Sequence, residues 1–102
     1  MTIKEIETRS GMTRANIRFY ESEGLLAPAR RENGYRDYSE EDLTALMRIR
    51  LLRALRVPLE EIRALQSGET ALDDTLARQL EALRGEQAAL TRSAELCRAI
   101  RE

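Results

Sequence analysis

From Thr70 to Glu102 the chain holds no proline and one glycine, Gly85, and its apolar residues recur at the spacing of a coiled-coil seam. Heptad a and d positions fall on Leu76, Leu80, Leu83, Gln87, Leu90, Ala94, Cys97 and Arg101, apolar at six of the eight. A helix over this stretch would be about 50 Å long at about 1.5 Å per residue, longer than a domain of this size is wide. What remains of a 102-residue chain is too small to cover such a stripe. A partner helix is required, and the simplest is a second copy, since closed two-fold dimers are the commonest oligomers. Leu76, Leu80, Leu83, Leu90, Ala94 and Cys97 are the expected dimerisation residues, and Gly85 marks a place for a bend or a close helix approach.

The segment before it is punctuated into short helices. Thr2 with Glu5 forms a capping box that opens a helix of about two turns carrying Ile3 and Ile6, and Ser10-Gly11 ends it. Thr13 caps a second helix through Ile17, Phe19 and Tyr20, and Gly24 is placed for a left-handed stop. Two short helices joined by a glycine-bearing turn are a helix-turn-helix candidate, although a plain helical hairpin shares the pattern. After Pro28, Asn33-Gly34 predicts a two-residue hairpin turn with positive φ at both positions, between very short strands. A ribbon this small is marginal alone and must lean on the helices, leaving its arginines free to reach past them. That is the layout of a wing. Ser39 and Asp42 cap a third helix, whose Leu43, Leu46, Met47, Leu51 and Leu55 are expected to supply most of the core. Pro58 suits the first position of a fourth helix, closed by Ser67-Gly68, so the third and fourth form a second hairpin. The fold expected is mainly α, a winged helix-turn-helix over residues 1–68 followed by a long dimerisation helix over 69–102.

Composition removes most other activities. With no histidine and one cysteine, the chain cannot build an ordinary zinc site, a Cys/His pair, a Ser/His/Asp triad or an internal disulfide. No catalytic residues are assigned and no enzyme is expected. A net charge of −1 argues against a nucleic-acid partner until it is divided by position. Residues 1–58 carry 11 basic and 9 acidic side chains, whereas residues 59–102 carry 6 and 9. Between Arg9 and Arg36, six arginines face three glutamates, and all four aromatics, Phe19, Tyr20, Tyr35 and Tyr38, fall in that stretch or within two residues of it. Basic and aromatic side chains in one short segment suit a surface for phosphates and bases, and equally the needs of a small core. No segment has the length or apolarity of a signal peptide or membrane span, so a cytoplasmic protein with reduced Cys97 is expected.

The run Ile3-Lys4-Glu5-Ile6, Ser10-Gly11-Met12-Thr13, Ile17-Arg18-Phe19-Tyr20-Glu21, Gly24-Leu25-Leu26, Pro28, Glu32 to Tyr38 and Leu59-Glu60-Glu61-Ile62 resembles the MerR family of bacterial transcription regulators. The resemblance implies a winged helix-turn-helix, a second wing made by helices three and four, and an antiparallel coiled-coil homodimer. It further implies a regulator that binds a pseudo-palindromic promoter operator on double-stranded DNA and acts by distorting it, with RNA polymerase a partner through the shared promoter. Thr13, Arg14, Asn16 and Arg18 near the start of the second helix are the expected major-groove residues. Tyr20, Tyr35, Arg36 and Arg53 match family positions that hold the DNA backbone. Ile17 and Tyr38 are expected to pack the core.

Two departures qualify the likeness. Arg56 stands where the family usually has glycine, implying either a remodelled backbone or an added phosphate contact. Metal-responsive relatives place cysteine near the start of the dimerisation helix and beyond its end, whereas this chain has Leu72-Asp73-Asp74-Thr75 and closes at Glu102, so neither metal sensing nor a cofactor is expected. Cys97 fits the seam as a small apolar residue. Because Arg98 to Glu102 still reads as helix, the chain is expected to be cut before an effector domain. The alternatives are a coiled-coil interaction adaptor and a small architectural or recombination factor with a winged module.

Overall fold

The computed structural model describes residues 1–102 as five helices and one ribbon: α1 Ile3–Ser10, α2 Arg14–Ser22, β1 Ala29–Arg30, β2 Arg36–Asp37, α3 Glu40–Ala54, α4 Leu59–Ser67 and α5 Leu72–Arg101. Each early helix begins on the cap the sequence predicts. The Thr2, Thr13 and Ser39 hydroxyls accept the amides of Glu5, Asn16 and Asp42 at 3.2, 3.2 and 3.0 Å. At Ser39 the box is complete, since the Asp42 carboxylate accepts the Ser39 amide in return. At Thr2 the return bond differs: the Thr2 hydroxyl donates to Glu5. Pro58 precedes α4 as its cap rather than starting it, its carbonyl accepting the Glu61 and Ile62 amides.

Three helices end in one paired motif, in which a residue of positive φ turns the chain and its amide and the next one return to the last carbonyls. Gly24 and Leu25 bond to Glu21 and Tyr20, Gly68 and Glu69 to Leu65 and Ala64, and Arg56 and Val57 to Arg53 and Leu52. Arg56 has φ +66° and is the only non-glycine residue with positive φ. The backbone therefore keeps the shape that glycine would take, at a cost of about 1–2 kcal/mol for an L-residue, and is not remodelled.

The core lies among α1 to α4, with Ile6, Ile17, Tyr38, Leu46, Ile49, Leu52, Val57 and Ile62 essentially inaccessible. Ile17 and Tyr38 pack there as expected. On α3 the buried face differs from expectation: Leu46, Ile49 and Leu52 turn inward, while Met47, Leu51 and Leu55 stay 44%, 62% and 39% exposed. With apolar residues all round this helix, periodicity alone does not choose the inner face. The ribbon pairs Ala29 with Asp37 and Arg30 with Arg36. Its turn is a three-residue loop: Arg31 and Tyr35 close it, the Gly34 amide donates to the Arg31 carbonyl, and only Gly34 has positive φ. Asn33 instead uses its side chain, accepting the Tyr35 amide at 3.1 Å. Met1 extends the ribbon, exchanging backbone bonds with Tyr38.

Helix α5 turns a polar strip toward the rest of the chain. Thr75 and Gln79 are buried, with the Gln79 amide donating to the Leu55 carbonyl at 2.8 Å. The remainder projects, giving a radius of gyration of 18.7 Å against about 13 Å for a compact chain of this length. No helix is long and apolar enough to cross a membrane.

Gly11 (φ +72°) closes α1 where Arg50 crosses from α3 to the Ser10 carbonyl at 2.9 Å. A Cβ on Gly11 would stand 2.7 Å from Arg50 Nη1, whereas one on Gly24 meets nothing within 4 Å. Gly11→Ala and Gly24→Ala should both lower thermal stability through the left-handed backbone, by about 1 kcal/mol or more. Gly11→Ala should melt lower, and equal melting points would contradict the Arg50 contact.

Candidate nucleic-acid interface

Two sides of α2 divide its work. Ile17 and Tyr20 face the core, while Arg14, Asn16 and Arg18 are exposed. The Thr13 cap and the Glu7 carboxylate, which accepts the Arg14 amide at 2.7 Å, hold the helix start. Neither the Arg14 nor the Arg18 guanidinium has a partner within the chain. Four residues apart, they lie on one side of the helix.

Arg18 also lines a cleft of about 220 Å³ between α2, the start of α1 and the ribbon, together with Arg30, Arg31, Tyr35 and Arg36. Tyr35 projects from the ribbon, 73% exposed. The cleft thus brings four arginines and an exposed phenol beside the open side of α2. Arg30 and Arg31 were not singled out by the family likeness. Their signal in the sequence is their place beside Asn33-Gly34, on a ribbon too short to bury anything.

Three other expected contacts are held within the fold. Arg36 Nε donates to both Glu21 oxygens at 2.7 and 2.8 Å, which raises its pKa. The Tyr38 hydroxyl donates to the same carboxylate at 3.4 Å, and burial, followed by the Glu21 charge, raises the Tyr38 pKa. Tyr20 is 8% exposed, against the edge of Phe19 with ring centroids 5.3 Å apart. Arg53 donates to the Val57 carbonyl at 3.1 Å, tying the α3–α4 turn. Glu21 was not anticipated: a carboxylate joining α2 to a ribbon 15 residues away leaves no mark in helical periodicity.

Along α5, Leu76, Leu80 and Leu90 are 38%, 48% and 70% exposed, Leu83 is half-buried, and Ala94 and Cys97 are exposed. The seam is open in the single chain.

A winged helix-turn-helix with a basic, partner-free recognition side defines a class of nucleic-acid-binding folds. A family model described as MerR HTH family regulatory protein matches residues 1–69. The chain belongs to this family. It is 43% identical over 65 residues to the HTH-type transcriptional regulator HmrR of Rhizobium leguminosarum bv. viciae, covering 64% of this chain and 50% of that protein. It is 38% identical over 80 residues to the nodulation protein NolA of Bradyrhizobium, covering 78% of this chain and 34% of the relative. The chain therefore spans half or less of these curated relatives. Among solved structures, the lead(II) complex of the transcription regulator PbrR691 from Ralstonia metallidurans has a TM-score of 0.85 at 31% identity over 99% of this chain and 84% of that one. HiNmlR, a MerR family regulator lacking the sensor domain and bound to promoter DNA, has a TM-score of 0.65 at 26% identity over 98% of this chain and 77% of that one.

The ribbon's second strand carries a pH dependence. The Asp37 carboxyl is held below the usual carboxylate value, first by a hydrogen bond from the Met1 amino group at 3.0 Å, then by that group's charge, with Arg31 adding to it. A carboxyl with a depressed folded pKa stabilises above its unfolded pKa and loses that contribution as pH falls through the folded value. The protection of the Tyr38 amide, which donates to Met1, against hydrogen exchange should fall on acidification below the ordinary carboxylate range, once the intrinsic pH dependence of exchange is divided out, and Asp37→Asn should remove most of that change.

Proposed function

We propose that the chain is a sequence-specific DNA-binding transcription regulator that binds a pseudo-palindromic promoter operator as a homodimer and acts by distorting DNA. The observation that carries this reading is the unpaired Arg14 and Arg18 side of α2 beside the arginine-lined cleft of the ribbon. The likeness to HiNmlR, which is bound to promoter DNA, supports it. In the major groove, Arg14 and Arg18 suit guanine O6 and N7, and Asn16 suits adenine. Thr13 fixes the helix start. Tyr35, Arg30 and Arg31 meet the phosphate backbone, which sets register without specifying sequence. Arg36 and Tyr20 serve by holding the ribbon and α2 in their relative positions, and Arg53 holds the second wing against the DNA.

Dimerisation follows from the open seam of Leu76, Leu80, Leu83, Leu90, Ala94 and Cys97. Two heads on one operator provide contacts on both half-sites, against about 1–6 kcal/mol to bend a site of about 20–30 base pairs. RNA polymerase is the further partner, through the shared promoter.

Operator selection from genomic fragments should recover an inverted repeat. Arg18→Ala should weaken binding to that operator, and wild-type affinity with unchanged circular dichroism would refute the assigned surface. Binding should fall with salt, and losing one phosphate contact at Arg30 or Arg31 should flatten the log–log slope by about 0.9. Glu21→Gln separates two roles for Arg36. If Arg36 positions the ribbon, binding weakens; if its guanidinium is itself the main phosphate contact, releasing it strengthens binding. Leu80→Asp should convert the dimer to monomer in sedimentation, and a dimer of unchanged strength would remove Leu80 from the interface.

A further inference from the structure

Arg56 combines two features that are each unusual and that meet at one place. Its backbone holds the left-handed conformation, φ +66°, which glycine adopts without strain. A non-glycine residue kept there calls for a reason in its side chain. That side chain leaves the α3–α4 turn and pairs with Glu86 of α5 at 2.9 Å.

The contacts of α5 with the rest of the chain form a short series. Thr75 is buried, Arg78 pairs with Glu61 at 3.3 Å, and Gln79 donates to the Leu55 carbonyl. These lie within about 11 Å of the helix start at Leu72, taking about 1.5 Å per residue. Glu86 lies about 21 Å along on the same measure and is the outermost side chain of α5 tied to the N-terminal unit. An anchor near a pivot resists translation, and one farther out resists rotation. The pair also borders a groove of about 370 Å³ lined by Leu83, Gln87, Leu90 and Ala94, so the residue that sets the tilt stands beside the seam.

We propose that Arg56 is a positioning residue: its ion pair with Glu86 fixes the angle between the DNA-reading unit and α5, and thereby the separation of the two reading units in the dimer. This rests on the dimeric regulator reading for its consequence, but the angle itself is a property of one chain. Both side chains are well exposed, 69% and 50%, and such a pair adds little to folding stability. The arginine contributes orientation at the expense of backbone strain. Two arms of the same turn thus have separate tasks, with Arg53 closing it onto Val57 and Arg56 reaching outward to α5.

The test measures the angle as an intrachain distance between spin labels at Ser22→Cys and Arg92→Cys, both outside the seam, in a Cys97→Ser background, with labelled chains co-refolded with excess unlabelled protein. Wild type should show one narrow distance. Glu86→Gln, which leaves the backbone of residue 56 untouched, should broaden it, as should Arg56→Gly, and the double variant should be no broader than either single one. Arg56→Gly should melt no lower than wild type, because glycine relieves the left-handed strain. An unchanged distribution in Glu86→Gln, or a clear loss of melting temperature in Arg56→Gly, would overturn the proposal. Neither measurement involves DNA, so failure to bind an operator would overturn the regulator reading while leaving the positioning role to be decided by the distances.

Discussion

The Gln79 side chain reaching the Leu55 carbonyl is the contact on which the architecture turns. It occupies a helix-end carbonyl of α3 with a side chain of α5, and with buried Thr75 it commits the polar strip of α5 to the inside of the chain. An amphipathic helix ordinarily buries its apolar side. Here the opposite happens, so Leu76, Leu80 and Leu90 are turned outward, and Leu51 and Leu55 are exposed as well. Burying a leucine side chain is worth about 1.5–3 kcal/mol, far more than the one amide bond that orients the helix. The small polar contact thus decides on which side of α5 the larger hydrophobic gain is left to be taken.

The arginines sort by the same logic. A count of basic residues treats them alike, but Arg9 pairs with Glu40, Arg36 with Glu21, Arg50 with the Ser10 carbonyl, Arg53 with the Val57 carbonyl and Arg63 with Glu23. Each joins elements distant in sequence or closes a turn. Arg14 and Arg18 remain without partners. In a chain with only 15 buried residues of 102, these pairs and arginine-to-carbonyl bonds fix how the elements sit against one another. Arg48, Arg92, Arg98 and Arg101 are likewise unpaired, so the open side of α2 is set apart by two free guanidiniums on one helix face beside the arginine-lined cleft.

Much of the fold was legible because it is encoded locally. Thr2, Thr13 and Ser39 cap the helices they precede, and Gly11, Gly24 and Gly68 turn the chain after the helices they follow. These signals act over three or four residues and need no tertiary context. The departures all involve a choice that local pattern leaves open. Asn33-Gly34 supports either a two-residue turn with positive φ twice or a three-residue loop with positive φ at glycine only, and the Arg31–Tyr35 closure selects the second. On α3, apolar residues on several sides offer more than one inner face, and contact with α1 and α4 selects Leu46, Ile49 and Leu52. For the site, the exposed residues Arg14, Arg18 and Tyr35 were legible from motif position. The tying of Arg36 to Glu21 was not, because a pair spanning 15 residues is fixed only once α2 and the ribbon meet.

Arg56 shows how a departure from pattern carries information that agreement does not. Where glycine stands, the left-handed turn is satisfied and the residue says nothing more about its surroundings. An arginine there strains the backbone, and the strain persists only because neighbouring structure over-determines it. The Val57 amide still reaches the Leu52 carbonyl and the Arg56 amide still reaches Arg53, so the helix end is fixed regardless of the side chain. An arginine whose backbone is fixed at a helix end can reach only what passes nearby, and what passes is α5 at Glu86. The strain and the ion pair are one feature, because a mobile backbone would let the guanidinium wander and an exposed pair would then have no geometry to transmit. An arginine on a hydrogen-bonded helix end is therefore a stiffer link between the N-terminal unit and α5 than the same arginine on a flexible loop.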